Sequence, residues 1–547
     1  MRTHHITLSL CLTGLLILSC TQEKKPSFPP PGMMEGEDIS AFGVTPDTTA
    51  LPLSEGENEQ ITTSASAPNF YDYVENSTFD KQVKVTFSGK EATVEPSLIG
   101  MSVSRNGADV TITSSALGVE YVVKGSTDNG SLTINSKQNV KITLCGCHIK
   151  NPDGGVFEIT GAPYTYMVLA DDDIYLEDGF VVKQPKQDKE SEDDGSANYS
   201  LDELKSRSRT QANTVGMKKK KNSIKGTILT ERNLIISGRG KLSIQCNSKS
   251  GIRADEEVVF RPGTIVNVNT REGKGISGKT GIIIYGGVQN IDTGNSNKRG
   301  ISSKGMLAIY GGRTTVLSSG GEKAEGIESK NVMLINGGDI RVAAFDDGIN
   351  AGEDLVINGG NLYVCSSTND ALDANGNLII NGGTIVASGG RGPECGLDAN
   401  EEAGFRLFIN GGTVVATGAN NSIPSDKSRQ ASIIYGGELE STGCIGLTTD
   451  AQGTNPLLTY NLMRDYGKNG QILFSSDQIT TGTDYTILKG EAIQDESTFF
   501  GLTLHPAQWK GKVVEKTGEL KGMASKVGSF PGPPPGAPPA PHGNHPE

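Results

Sequence analysis

Between residues 346 and 398 one short phrase recurs three times, as DDGINA, NDALDA and ECGLDA. Aligned on the central Gly or Ala, the phrases set Asp346, Asn369 and Glu394 in one column, Asp347, Asp370 and Cys395 in a second, and Asn350, Asp373 and Asp398 in a third. If the chain winds so that each repeat rests on the one before, vertical neighbours lie about 4.8 Å apart, the separation of paired strands. Two carboxylates at that distance repel by about 3–4 kcal/mol at an effective dielectric of about 20. The six acids of this grid therefore require protons, basic partners or a metal ion. Their oxygen donors suit a hard cation, and calcium accepts about six to eight such ligands in flexible geometry. The competing reading is a solvated acidic face.

The elements that must position this grid announce themselves by a second periodicity. An apolar residue followed by a Gly turn recurs at Ile236, Phe260, Ile284, Ile309, Ile335, Ile357, Ile380, Ile409 and Ile434, with separations of 24, 24, 25, 26, 22, 23, 29 and 25. Between these anchors runs a second series, GIRA, GISG, GISS, GIES, GINA, ALDA, GLDA and GCIGL. Each period thus holds at least two short strands and two turns. Leucine-rich repeats share the period but need an LxxLxLxxN spacing that is missing, and a GG turn in every period would break helices. What remains is an all-β fold, a right-handed parallel β-helix (solenoid) with short turns and 22–29 residues per coil. Ile, Leu and Val point inward and Gly and Asn form corners; nine stacked anchors make a rod about 40 Å long. Asn336, Asn358, Asn381 and Asn410 share one slot, where Asn before Gly tolerates a left-handed turn and stacked amides form a ladder. Tyr285, Tyr310 and Tyr435 take the same slot on other coils, as corner packing or as faces for sugar stacking.

Composition agrees with a thin, repetitive core: the 547 residues include 71 Gly and only 5% aromatics. The net charge of -13 argues against nucleic acid as a partner. Residues 1–19 read as a signal peptide, with a basic start and an apolar run from Ile6 to Leu18, and residues 20–80 as a flexible tether rich in Pro, Ser, Thr and Glu. Residues 81–185 are expected to form an N-terminal cap and the first coils, and 186–222 a polar insertion that holds the Lys218–Lys221 run. The regular helix with the acidic grid then spans 223–454, a β-rich cap 455–525, and a Pro/Gly tail 526–547, whose His542 and His545 read as solvated. Apart from Cys11 and Cys20 the cysteines, at 145, 147, 246, 365, 395 and 444, lack CxxC spacing and read as buried free thiols.

Two resemblances follow from these residues. The ILSC ending at Cys20 resembles the lipobox of bacterial lipoproteins, which implies lipidation of Cys20 and an anchor in the cell envelope, on the periplasmic or surface side of what would be the outer membrane. The stretches LIISGRGKLSI, DDGINAGEDLVINGGNLYV and NDALDANGNLIINGGTIVASGG, with FSGKEATV upstream, resemble secreted carbohydrate-binding β-helix domains of a clostridial cellulose-binding type, similar to family-nine polysaccharide lyases. That resemblance runs from about residue 83 to 490 and implies calcium in the turns and a polysaccharide partner. Carried over residue by residue, Asp347 with Asp346 stands for the first ligand position, Asn369, Asp370 and Asp373 for an acidic trio, and Glu394 and Asp398 complete the site or make a second.

A lyase also needs a base beside the calcium, usually Lys in the related enzymes. No Lys lies between Lys330 and Lys427; Arg391 and Arg406 are the nearest candidates, and Lys427 and Arg429 follow in a polar loop. The four His outside the signal peptide, at 148, 505, 542 and 545, suggest no triad, and the crowding of acids favours a metal over the division of labour in a glycoside hydrolase. The expectation is a non-catalytic, calcium-stabilised polysaccharide-binding lipoprotein, with no catalytic residues assigned. A calcium-dependent pectate-type lyase acting by β-elimination and an envelope adhesin or scaffold are the alternatives. The single Trp, Trp509, lies outside the repeats, so recognition would rest on calcium, Tyr and hydrogen bonds.

Overall fold

The computed structural model describes residues 37–51, 67, 69–170, 172–180, 224–440, 443–493, 498–507 and 509–530. The signal peptide, Cys20, the 186–222 insertion and residues 531–547 of the tail lie outside the described residues. The described chain is all-β apart from short 3-10 turns, and its body is a parallel β-solenoid.

Each coil of the regular region carries three strands, for example Ile349–Ala351, Leu355–Ile357 and Asn361–Ser366. Corresponding strands of successive coils pair in parallel, which builds three stacked faces. The anchors fall in one register: Ile236 pairs with Phe260, and the column continues through Ile284, Ile309, Ile335, Ile357, Ile380 and Ile409. It also reaches upstream of the visible repeat, through Met167, Ile142, Tyr121 and Val83. Every side chain of that column is buried. The cause is the two-residue alternation of a strand: Leu355 and Ile357 point inward while Val356 between them does not.

The corners differ from the sequence reading in one respect. The left-handed conformation falls on the second Gly of each INGG turn, with φ of 99° at Gly360 and 97° at Gly383, and not on the Asn before it. The Asn side chains form the amide ladder instead, Asn358 donating to Asn336 at 2.7 Å, Asn381 to Asn358 at 2.8 Å and Asn410 to Asn381 at 2.8 Å. Tyr285 and Tyr310 stack in the same slot with ring centroids 5.3 Å apart.

The ninth anchor breaks the pattern. Ile434 does not stack on Ile409, because strand Gly467–Ser475 runs antiparallel between Thr413–Gly418 and Ser432–Leu439. Gly443–Thr448, which holds the GCIGL phrase, belongs to a five-stranded antiparallel sheet. The regular stack therefore ends near Gly418 rather than at residue 454. The IYGG sequence is like the others, but here both glycines lie within the strand Ser432–Leu439, neither with positive φ, and the strand is buried on both faces, with partners from the cap. Ala524–Gly528 pairs with it in parallel, which carries ordered strand three residues into the expected tail. At the other end two antiparallel hairpins, Lys81–Ser88 with Glu91–Glu95 and Met101–Asn106 with Ala108–Ser114, cover the open edges.

The expected tether is also in part structural. Ile39, Phe42 and Val44 are buried against Tyr363, Val386 and the C-terminal cap. Tyr363 Oη donates to the Phe42 carbonyl at 2.9 Å and Ser367 Oγ to the Glu37 carbonyl at 2.7 Å. A second piece docks through Tyr73, which lies 3.9 Å beneath the Arg261 guanidinium, and Asp72, which accepts from Tyr285 Oη at 2.9 Å. A polar average hides the few apolar residues that make these contacts. The six described cysteines are free thiols, five of them buried.

Candidate functional site

The acidic phrases occupy the corner where one face of the solenoid passes to the next. Asp346 and Asp347 lie in the turn between Asp339–Ala344 and Ile349–Ala351, and the next two coils repeat that placement. Asn350 pairs with Asp373 and Asp373 with Asp398 in register, the third column of the grid. Because Ile349 and Ala351 fill the core, the residue between them must face outward.

The grid is not uniform. Asp370, Asp373 and Asp398 converge, each offering a carboxylate oxygen within 4.8 Å of the others. Asp346, Asp347 and Glu394 lie outside that convergence. Asn350 Nδ2 links the parts, donating to Asp347 at 2.7 Å and to Asp373 at 2.8 Å. Asn369 Nδ2 donates to Asp346 at 3.0 Å, which turns its amide nitrogen toward the upper coil. Cys395 completes the second column but is not among the oxygen donors.

Burial sets the electrostatics. Asp347 is 5% exposed, and burial, reinforced by the charges of Asp346, Asp370 and Glu325, pushes its carboxyl up to about 8. Burial likewise lifts Asp370 to about 8, with Asp398, Glu394 and Asp373 adding repulsion. Asp346 is raised by burial too. Among the described residues no Lys or Arg forms an ion pair with Asp347 or Asp370. Asp370, itself one of the three converging acids, and Asp347 cannot ionise cheaply, which fits a bound cation: ionisation becomes favourable when a positive charge arrives. All the donors are oxygens, the set that hard divalent ions take.

The acid column begins one coil earlier than the phrases suggested. Glu325 takes the place of Asp347 and Glu328 that of Asn350, with Glu328 in register with Asn350. The GIES phrase carried this signal, since it aligns with GINA and brings a Glu into the same slot. Here bases answer the acids. Arg299 Nη2 lies 2.6 Å from Glu325 and 3.1 Å from Glu328, and Lys330 also pairs with Glu328. Lys274 Nζ donates to Ser302 Oγ at 2.7 Å, and that hydroxyl donates to Glu328 at 2.8 Å. Burial pushes Glu328 up, but Lys330, Ser302 and Arg299 outweigh it and hold the carboxyl below its usual range. Burial and the charge of Glu328 lift Glu325 to about 7. Glu328 is the member of the pair that stays ionised.

The arginines nominated as bases are engaged elsewhere. Arg391 pairs with Glu37 of the N-terminal segment and donates from Nε to the Asp465 carbonyl at 2.8 Å. Arg406 donates to the Phe405 carbonyl at 2.6 Å.

Comparison with known proteins adds the family. The family model described as "Carbohydrate-binding domain-containing protein" matches residues 106–207, 196–346, 295–370, 317–391 and 343–492, overlapping segments that cover most of the body. A solved structure of the polysaccharide lyase-like protein from C. thermocellum is 20% identical, with a TM-score of 0.36, over 55% of this chain and 96% of its own. The comparison with curated proteins finds no match. With segments matched from the N-terminal coils through the acidic corner into the C-terminal cap, the chain belongs to the family of carbohydrate-binding domain-containing proteins.

Proposed function

We propose that this protein is a non-catalytic polysaccharide-binding lipoprotein of the bacterial cell envelope, stabilised by calcium at the corner of its solenoid. The observation that carries the reading is the convergence of Asp370, Asp373 and Asp398 within 4.8 Å, in a chain of a carbohydrate-binding family. Asp370, Asp373 and Asp398 would hold the ion, which supplies fixed positive charge and open coordination positions for sugar or carboxylate oxygens. Asn350 keeps Asp373 oriented through its 2.8 Å bond, and Asp347 accepts the backbone N–H of Asp370 at 3.2 Å, so the chain itself sets the site's shape. The Arg299, Lys330 and Lys274 cluster answers the acids one coil up. The membrane would be reached through lipid on Cys20; among the described residues no helix is long and apolar enough to cross a bilayer.

The test is retention of residues 21–547 on polygalacturonate, cellulose, xylan and glucan, first with calcium and then with chelator. Calcium-controlled retention on at least one glycan is expected, weakened in an Asp370→Ala/Asp373→Ala variant that keeps its circular dichroism. No unsaturated uronate should appear on polygalacturonate. Its appearance would replace this reading with the lyase; absence of retention on every glycan would leave an envelope scaffold whose ion serves stability alone.

A further inference from the structure

The sheet that bears the acid site ends, nine strands away, in a groove that none of the preceding chemistry uses. At the strand spacing this places the two about 40 Å apart. The groove encloses about 830 Å³ and lies where the first strands of that sheet turn toward the next face. A smaller hollow of about 420 Å³ shares Lys137 and Gln138 with it and continues past Leu117 and Pro163. Together they make a cleft that follows the corner of the solenoid.

Its floor is a rung of polar side chains drawn from four adjacent strands. Ser102 pairs with Thr113, Thr113 with Asn135, and Asn135 with Thr160. Their strand neighbours Ile112, Ile134 and Ile159 are buried in the core, so the pleat turns the rung outward. Thr160 Oγ1 donates to Asn135 Oδ1 at 2.6 Å, and Asn135 Nδ2 donates to Thr113 Oγ1 at 3.3 Å. That chain of bonds fixes the amide and leaves its second N–H and the Thr113 hydroxyl proton to meet a ligand. The formal charges of the groove lining, Lys137 and Glu231, cancel. Leu117, 65% exposed, gives the smaller hollow an apolar wall. Hydroxyls and amides in a row, no net charge and one apolar wall match a ligand that alternates hydroxyls with C–H faces, in a cavity of ligand-binding size.

We propose that this cleft is a second glycan-binding site, taking a short run of uncharged sugar residues without calcium. The class of ligand rests on the polysaccharide-binding reading above; the site, its neutrality and its independence of the ion do not involve the acid corner. The test uses the full mature chain, with cellohexaose, xylohexaose and laminarihexaose as probes, each with chelator and with calcium. Hydrogen exchange and calorimetry provide the readouts. At least one hexasaccharide is expected to slow exchange over residues 100–115 and 135–139 equally in both conditions. Asn135→Ala/Gln138→Ala should weaken its binding about tenfold, the loss of one to two hydrogen bonds, while the variant stays folded by circular dichroism. Thr113→Val provides a second, near-isosteric probe should that variant fold poorly. Unchanged affinity in a folded variant overturns the proposal. Protection confined to residues 346–398 and dependent on calcium also overturns it while leaving the first reading standing; protection nowhere overturns it too, and the first reading then rests on its own retention test with polygalacturonate.

Discussion

Asp347 and Asp370 are the residues in which burial and charge conflict most directly. A free Asp carboxyl titrates near 3.8, and the fold raises both to about 8. A raised folded value means that the folded chain holds protons which the unfolded chain has already released. Their contribution to stability is therefore complete below the unfolded value and is lost as pH climbs through 8. In chelator, the thermal midpoint of the wild type is expected to fall from about pH 5 to about pH 9 more steeply than that of Asp347→Asn/Asp370→Asn. Calcium should abolish the difference by favouring the ionised form. Matching slopes for the two proteins would show that these carboxyls titrate as ordinary acids. One coil up, Glu328 meets the same burial yet stays ionised, because Arg299 and Lys330 are within reach.

Among the elements, the INGG corner separates two roles that adjoin in sequence. Gly383 has φ of 97°, and a Cβ there would lie 2.6 Å from the Gly360 carbonyl oxygen of the coil above. Gly383→Ala therefore carries both backbone strain and a clash with backbone, and is expected to cost about 1–3 kcal/mol. Asn381 makes two exposed amide bonds at 2.8 Å, one to each neighbouring coil. Asn381→Ala should cost less, about 1 kcal/mol, since water replaces much of what exposed bonds supply. Thermal or urea unfolding midpoints order the two variants. A larger loss in Asn381→Ala would mean that the amide ladder, rather than the turn, holds the corner.

For the whole molecule, the solenoid is not a bare rod, because its outer face near the acid corner is covered by chain from both ends. Phe42 is 1% exposed, faces the Arg464 guanidinium at 4.5 Å, and joins a core shared with Tyr363 and the C-terminal cap. Phe42→Ala is expected to cost about 3–5 kcal/mol, as large core truncations do, and to open the N-terminal segment to protease. A midpoint equal to that of the wild type would show that the segment rests on the coils without holding them. Glu37 in that segment pairs with Arg391 and Arg464, so its detachment should also release Arg391.

The sequence by itself determined the coil, the register of eight anchors and the columns of the grid, because side-chain alternation and the GG turn are local and repeat at nearly constant spacing. From Ile236 to Ile409 each residue named from spacing pairs with its expected neighbour. Only the tertiary structure decided which acids converge. Asp370, Asp373 and Asp398 do so while Asp346, Asp347 and Glu394, acids at the same repeat spacing, do not. It also decided that Arg299 and Lys330 pair with the acids at Glu325 and Glu328, that Ile434 leaves the stack, and that Phe42 is core. The last two are contacts between segments far apart in the chain, and no periodicity within one segment encodes its partner.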